Sequence, residues 1–153
     1  MLFDSSAEFI NTLSKDARLL GIDLGDKTIG LALSDVMRSI ASPMETIERT
    51  KFGKDVVRLQ KIISEQRVGG LVVGNPMNMD GSSGPRVQAT RTFISNVQKH
   101  IDIPVILWDE RMSTMAVERM MVGEGDLSRK RRGELVDKLA ASYMLQGFLD
   151  SLK

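Results

Sequence analysis

The spacing of apolar positions predicts the elements in turn. Leu19, Leu20, Ile22 and Leu24, then Ile29, Leu31 and Leu33, form two short runs around Gly25-Asp26-Lys27-Thr28. Apolar runs flanking turn-forming residues predict a β-hairpin. Ser39 to Glu48 mixes Ile40, Met44, Thr46 and Ile47 around Pro43, which suits a third, edge-like strand where a missing N–H does no harm. From Phe52 to Arg67 the period becomes helical, with Phe52, Val56, Leu59 and Ile63 opposite Lys54, Arg58 and Lys61, and Gly69-Gly70 is expected to stop the helix. Leu71-Val72-Val73 reads as a buried parallel strand. A second helix is expected from Pro85 to Lys99, closed by a solvated His100. Val105 to Trp108 gives another strand, followed by a short helix from Ser113 to about Val122 and a long apolar helix from about Glu134 to the end. This order predicts an α/β fold: a mixed sheet, with an antiparallel three-strand meander plus parallel strands, and helices packed on it. Residues 1–17 offer few apolar anchors (Ala7, Phe9, Ile10 and Leu13). They are expected to form an N-terminal extension, a surface element or partly disordered, ahead of one domain at 18–153.

Composition narrows the chemistry. The 153 residues are 42% hydrophobic, enough for one domain with a real core. There are no cysteines and one histidine, which excludes disulfides, thiolate zinc and multi-histidine sites and leaves carboxylates as ligands for a hard metal. No apolar run approaches the ~20 residues of a membrane span, and no leader pattern is visible at the N-terminus, so a cytoplasmic protein without a membrane partner is expected. A net charge of +1 requires any nucleic-acid partner to be held by local basic clusters.

Asp23 is the residue that breaks the pattern. It lies between Ile22 and Leu24 in an apolar strand, where an ionised carboxylate is costly without a cation. Gly21 and Gly25 share its face by alternation and are expected to leave room for a ligand. Asp109-Glu110-Arg111 follows a strand's C-terminal end, the edge where open α/β sheets bind ligands. Asp137 lies inside the apolar pattern of the last helix, with Gly133 behind it and Ala140 and Ala141 ahead. Asp23, the Asp109-Glu110 pair and Asp137 suit Mg²⁺ or Mn²⁺ and phosphodiester hydrolysis. If the strand stays extended, Asp109 and Arg111 share a face and can pair, leaving Glu110 as the free acid and Asp109 as the alternate ligand.

Basic and polar residues supply candidate phosphate contacts: Lys27 in the hairpin, Asn78, Ser82 and Arg86 in and after a glycine-punctuated loop, Arg111, and the run Arg129, Lys130, Arg131 and Arg132 ahead of the last helix.

Four ordered motifs resemble one family: Gly21-Ile22-Asp23-Leu24-Gly25-Asp26-Lys27-Thr28-Ile29-Gly30; Asn78-Met79-Asp80-Gly81 with Gly84-Pro85-Arg86; Trp108-Asp109-Glu110-Arg111 with Ser113-Thr114; and Val136-Asp137-Lys138 with Ala140-Ala141. The chain, over about residues 18 to 150, resembles the bacterial YqgF-type nucleases, the pre-16S ribosomal RNA nuclease or Holliday-junction resolvase-like family. The resemblance implies a ribonuclease-H-like fold, a cytoplasmic nuclease maturing the 5′ end of the 16S precursor, and catalytic acids at Asp23, Glu110 and Asp137. Precursor rRNA, with ribosomal particles, is the implied partner, and a monomer or weak dimer the expected state. One departure is Asn75, where the family usually has leucine in Gly-Leu-Pro. Competing functions are a resolvase of Holliday junctions or other structured DNA, a catalytically weak RNA-binding assembly factor, and an actin-like or sugar-kinase ATPase. The last needs two such domains, and this chain has length for one.

Overall fold

The structure, a computed structural model, describes residues 1–75, 84–109 and 129–152, with the backbone alone for 129–138. The described elements are β1 (Leu2–Phe3), α1 (Ser6–Asn11), β2 (Arg18–Leu24), β3 (Thr28–Ser34), β4 (Ala41–Glu48), α2 (Phe52–Glu65), β5 (Val68–Asn75), α3 (Pro85–Gln98), β6 (Val105–Asp109) and α4 (Arg129–Ser151). The helix expected from Ser113 to Val122 lies outside the described residues.

The strands form one six-stranded sheet in the order β1-β6-β5-β2-β3-β4. The meander is as expected: β2 pairs antiparallel with β3, and β3 with β4, whereas β2–β5, β5–β6 and β6–β1 are parallel. Alternation splits the core between the two faces. Leu20, Ile22 and Leu24 of β2 join Val56, Leu59 and Ile62 of α2 and Phe93, Ile94 and Val97 of α3 on one face. Leu19, Ala32, Val72 and Ile106 join Ala141, Met144, Leu145 and Phe148 of α4, together with Phe9 of α1, on the other. Arg58 of α2 and Glu45 of β4 form an ion pair that ties helix to edge strand.

The N-terminal residues depart from the expected surface element. Leu2 and Phe3 pair with Val105 and Ile106 and extend the sheet, and Phe9 is fully buried. The physical reason lies on β5: a Cβ on Gly70 would stand 2.8 Å from Phe9 Cζ and 2.9 Å from Leu13 Cδ2. Gly69 and Gly70 therefore belong to a strand and leave room for α1 and the residues after it, instead of stopping α2. That helix ends at Glu65, and Arg67 makes the turn into β5 with a φ of 54°. The last helix also starts earlier than expected. Arg129–Arg132 lie within its opening turn, and the chain continues helically through Gly133. His100 is exposed and its ring lies 6.0 Å from that of Phe52.

Candidate active site

Asp23 lies near the C-terminal end of β2, half-buried, directly opposite Gly30 of β3. On the other side, β5 follows the register Ile22↔Val73, so Gly74 is the next residue beside Asp23, and Gly74 in turn pairs with Trp108 of β6. The two strands flanking Asp23 thus present glycine on its face, with no Cβ to crowd the carboxylate.

Gly21 and Gly25 have a different use from the one expected. A Cβ on Gly21 would stand 3.0 Å from Leu145 Cβ and 3.5 Å from the Ala141 carbonyl oxygen, so Gly21 admits α4 rather than a ligand. A Cβ on Gly25 would stand 3.1 Å from the Thr28 carbonyl oxygen, and the Gly25 N–H donates to that oxygen at 2.8 Å, so Gly25 serves the turn.

The same contact orients α4. Gln146 donates to the Ser39 carbonyl and accepts from the Ala41 N–H. Ala41 pairs with Ser34, whose hydroxyl accepts from the Leu19 N–H at the start of β2. The C-terminal part of α4 therefore lies level with the start of β2, and its N-terminal turns run toward the Asp23 end. Asp137 is on those turns, about two turns before Leu145.

Asp109 ends β6 in register with Asn75. Alternation puts both on the face opposite Asp23, because Trp108 and Gly74 share the face of Asp23. The Asn75 side-chain oxygen is buried with no hydrogen-bond partner among the described residues. Glu110, Arg111, Asn78 and Ser82 lie outside the described residues, and for Arg129, Lys130, Arg131, Arg132 and Asp137 only the backbone is described. Among the described side chains, no three of His, Asp and Glu gather as a metal cluster.

Lys27 is exposed in the β2–β3 turn, and Arg86, at the start of α3, donates to the Leu24 carbonyl at 3.2 Å. Sequence reasoning missed a third cation. Arg49, just past β4, donates from its guanidinium to the Gly25 carbonyl at 2.8 Å. Its place after Glu48 gives no hint of a bond to a turn 24 residues earlier.

The family model described as "RuvX: Holliday junction resolvase" matches residues 17–151. The chain belongs to the RuvX family. Among curated relatives of this RuvX chain, a protein of Paramagnetospirillum magneticum is 57% identical over 145 residues, covering 95% of this chain and 93% of its own. One of Roseobacter denitrificans is 50% identical over 155 residues, covering 100% and 94%. Both are named "Putative pre-16S rRNA nuclease". Among solved structures, Thermus thermophilus RuvC in complex with a Holliday junction substrate aligns with a TM-score of 0.53 at 15% identity, covering 89% of this chain and 96% of that one. The Fowlpox virus resolvase bound to Holliday junction DNA aligns at 0.51 and 12% identity, covering 88% and 98%. The RuvX chain therefore has the ribonuclease-H-like fold of these resolvases. Among its described residues no helix is long and apolar enough to cross a membrane.

Proposed function

We propose that this RuvX protein is a metal-dependent endonuclease that hydrolyses phosphodiester bonds at the 5′ end of precursor 16S rRNA, acting in the cytoplasm on ribosomal particles as a monomer or weak dimer. One observation carries the chemistry: Asp23 lies between two strand glycines at the sheet edge where β6 ends in Asp109. The N-terminal turns of α4 approach the same edge. The names of the curated relatives support precursor rRNA as substrate.

The donor set fits a hard cation. Asp23, Glu110 and Asp137 are the proposed ligands, oxygen donors suited to Mg²⁺ or Mn²⁺. A hard cation held by these carboxylates would supply a lowered pKa for an attacking water and charge neutralisation at the scissile phosphate. The face opposite Asp23 holds Asp109, which supports Glu110, one residue further along an alternating chain, as the ligand from β6. Lys27 and Arg86 draw the phosphodiester backbone toward Asp23, and Asn78, Ser82, Arg111 and Arg129–Arg132 are proposed to extend that contact. The charge of Asp23 without a cation would repel a phosphate, which argues against a pure RNA-binding role.

A Holliday junction is the second reading, favoured by the description of the matching family model. Matched RNA and junction-DNA substrates, each with and without Mn²⁺, decide between them. Cleavage of the precursor rRNA alone is expected. Cleavage of the junction alone would move the substrate to DNA, and equal cleavage in EDTA would overturn the metal mechanism.

A further inference from the structure

We infer that Arg49 is a substrate-binding residue that, with Lys27 and Arg86, forms a phosphate clasp over the β2–β3 turn. The inference rests on the nuclease reading and assigns where the substrate backbone lies relative to Asp23.

The clasp is built from distant parts of the chain. Arg49 reaches the Gly25 carbonyl from the end of β4, and Arg86 reaches the preceding carbonyl, that of Leu24, from the start of α3. Two guanidinium groups from distant parts of the chain thus bind consecutive carbonyls, immediately after Asp23 in sequence. The backbone that carries Arg49 is held on both sides. Its own N–H donates to the Lys27 carbonyl at 2.8 Å. The N–H and hydroxyl of Thr50 donate to the buried carboxylate of Asp55, the hydroxyl at 3.0 Å.

The partners of these cations are informative. Arg49 and Arg86 donate to neutral carbonyls, and Lys27, Arg49 and Arg86 are all exposed. None of the three takes part in the ion pairs Arg58–Glu45 and Lys61–Glu65. A guanidinium has five N–H donors. One bond to a carbonyl fixes the group and leaves its full charge and remaining donors for a polyanion. Three exposed cations around one turn beside a carboxylate suit a ligand that is anionic along its length, a phosphodiester backbone. The strand would cross the turn, with one phosphate on the clasp and a neighbouring one at Asp23.

The test uses the full chain and a single-stranded RNA oligomer spanning the 16S precursor's 5′ end. Binding is measured against salt in Ca²⁺, and single-turnover cleavage against enzyme concentration in Mn²⁺. For Arg49→Gln the expected results are a slope of log K against log salt flatter by about 0.7, a half-saturating concentration raised roughly tenfold, and a maximal rate close to wild type. Lys27→Gln, in an exposed turn, should flatten the slope by a similar amount with an unchanged melting temperature. It keeps the test open if Arg49→Gln fails to fold. Arg49→Lys should recover the slope. A wild-type slope for both neutral variants overturns the clasp. So does a lowered maximal rate for Arg49→Gln at unchanged half-saturation, since Arg49 would then only brace the turn. Loss of cleavage by the wild type with an Arg49-dependent salt slope would instead reject the nuclease reading and keep the clasp.

Discussion

Asp23 stands opposite Gly30 in the β2–β3 ladder, so the residue directly across from the proposed metal ligand carries no side chain. Asp23→Asn should keep the fold and lose metal-dependent cleavage by at least about a hundredfold. Single-turnover rates in Mn²⁺ with circular dichroism check both parts. In EDTA the melting temperature should not fall, because the neutral amide removes a charge from a half-buried site.

Glu110→Gln should abolish cleavage with little change in stability, whereas Asp109→Asn should cost a smaller part of the rate, since Asp109 lies on the face away from Asp23. A dead Asp109→Asn with an active Glu110→Gln, measured by the same single-turnover assay, would reverse the assignment.

Gly70 and Phe9 make the N-terminal segment part of the core. Phe9→Ala removes a fully buried ring and should cost about 3–5 kcal/mol. Gly70→Ala forces a Cβ against that ring and should cost about 1–3 kcal/mol. Urea unfolding measures both. A loss below half a kcal/mol for Phe9→Ala would return α1 to the surface.

Asn75 buries an oxygen with no partner among the described residues. Asn75→Leu should raise stability by about 1–3 kcal/mol, the cost of an unsatisfied buried polar group. A thermal melt showing a lower midpoint would mean that the amide is satisfied.

Asp35 accepts from the N–H groups of Ile40 at 3.0 Å and Ser39 at 2.8 Å. These bonds, Ile40 first, hold its pKa below the ordinary 3.8. A depressed folded-state pKa gives stability that is present above the unfolded value and lost as pH falls through the folded one. The wild type should therefore exceed Asp35→Asn in melting temperature at pH 7, and the difference should shrink below about pH 4.

What was legible in the sequence follows contact range. The hairpin declares itself because Gly25 and its flanking apolar runs are neighbours in the chain, and β5 and β6 because a strand covered on both faces is continuously apolar. Asp23 stands out by the same local logic. The role of Gly70 does not, because it depends on an aromatic ring some sixty residues earlier in the chain, and a glycine pair after a helix reads equally well as a stop. Gly21 was legible as a close approach, but the approaching group is Leu145, across the fold. Arg49 was invisible for the same reason: a cation beside Glu48 reads as an ordinary ion pair until the turn folds back onto it.

Leu145 sitting on Gly21 makes α4 a ruler. The helix is clamped at one end of its sheet contact, so the height and angle of position 137 are set by counting residues back from the clamp. One residue inserted between Asp137 and Ala141 would turn that position by about 100° and displace it by about 1.5 Å, while every buried contact from Ala141 onward stayed in place. Such a chain would fold, melt normally and present its acid to the wrong quarter of the sheet.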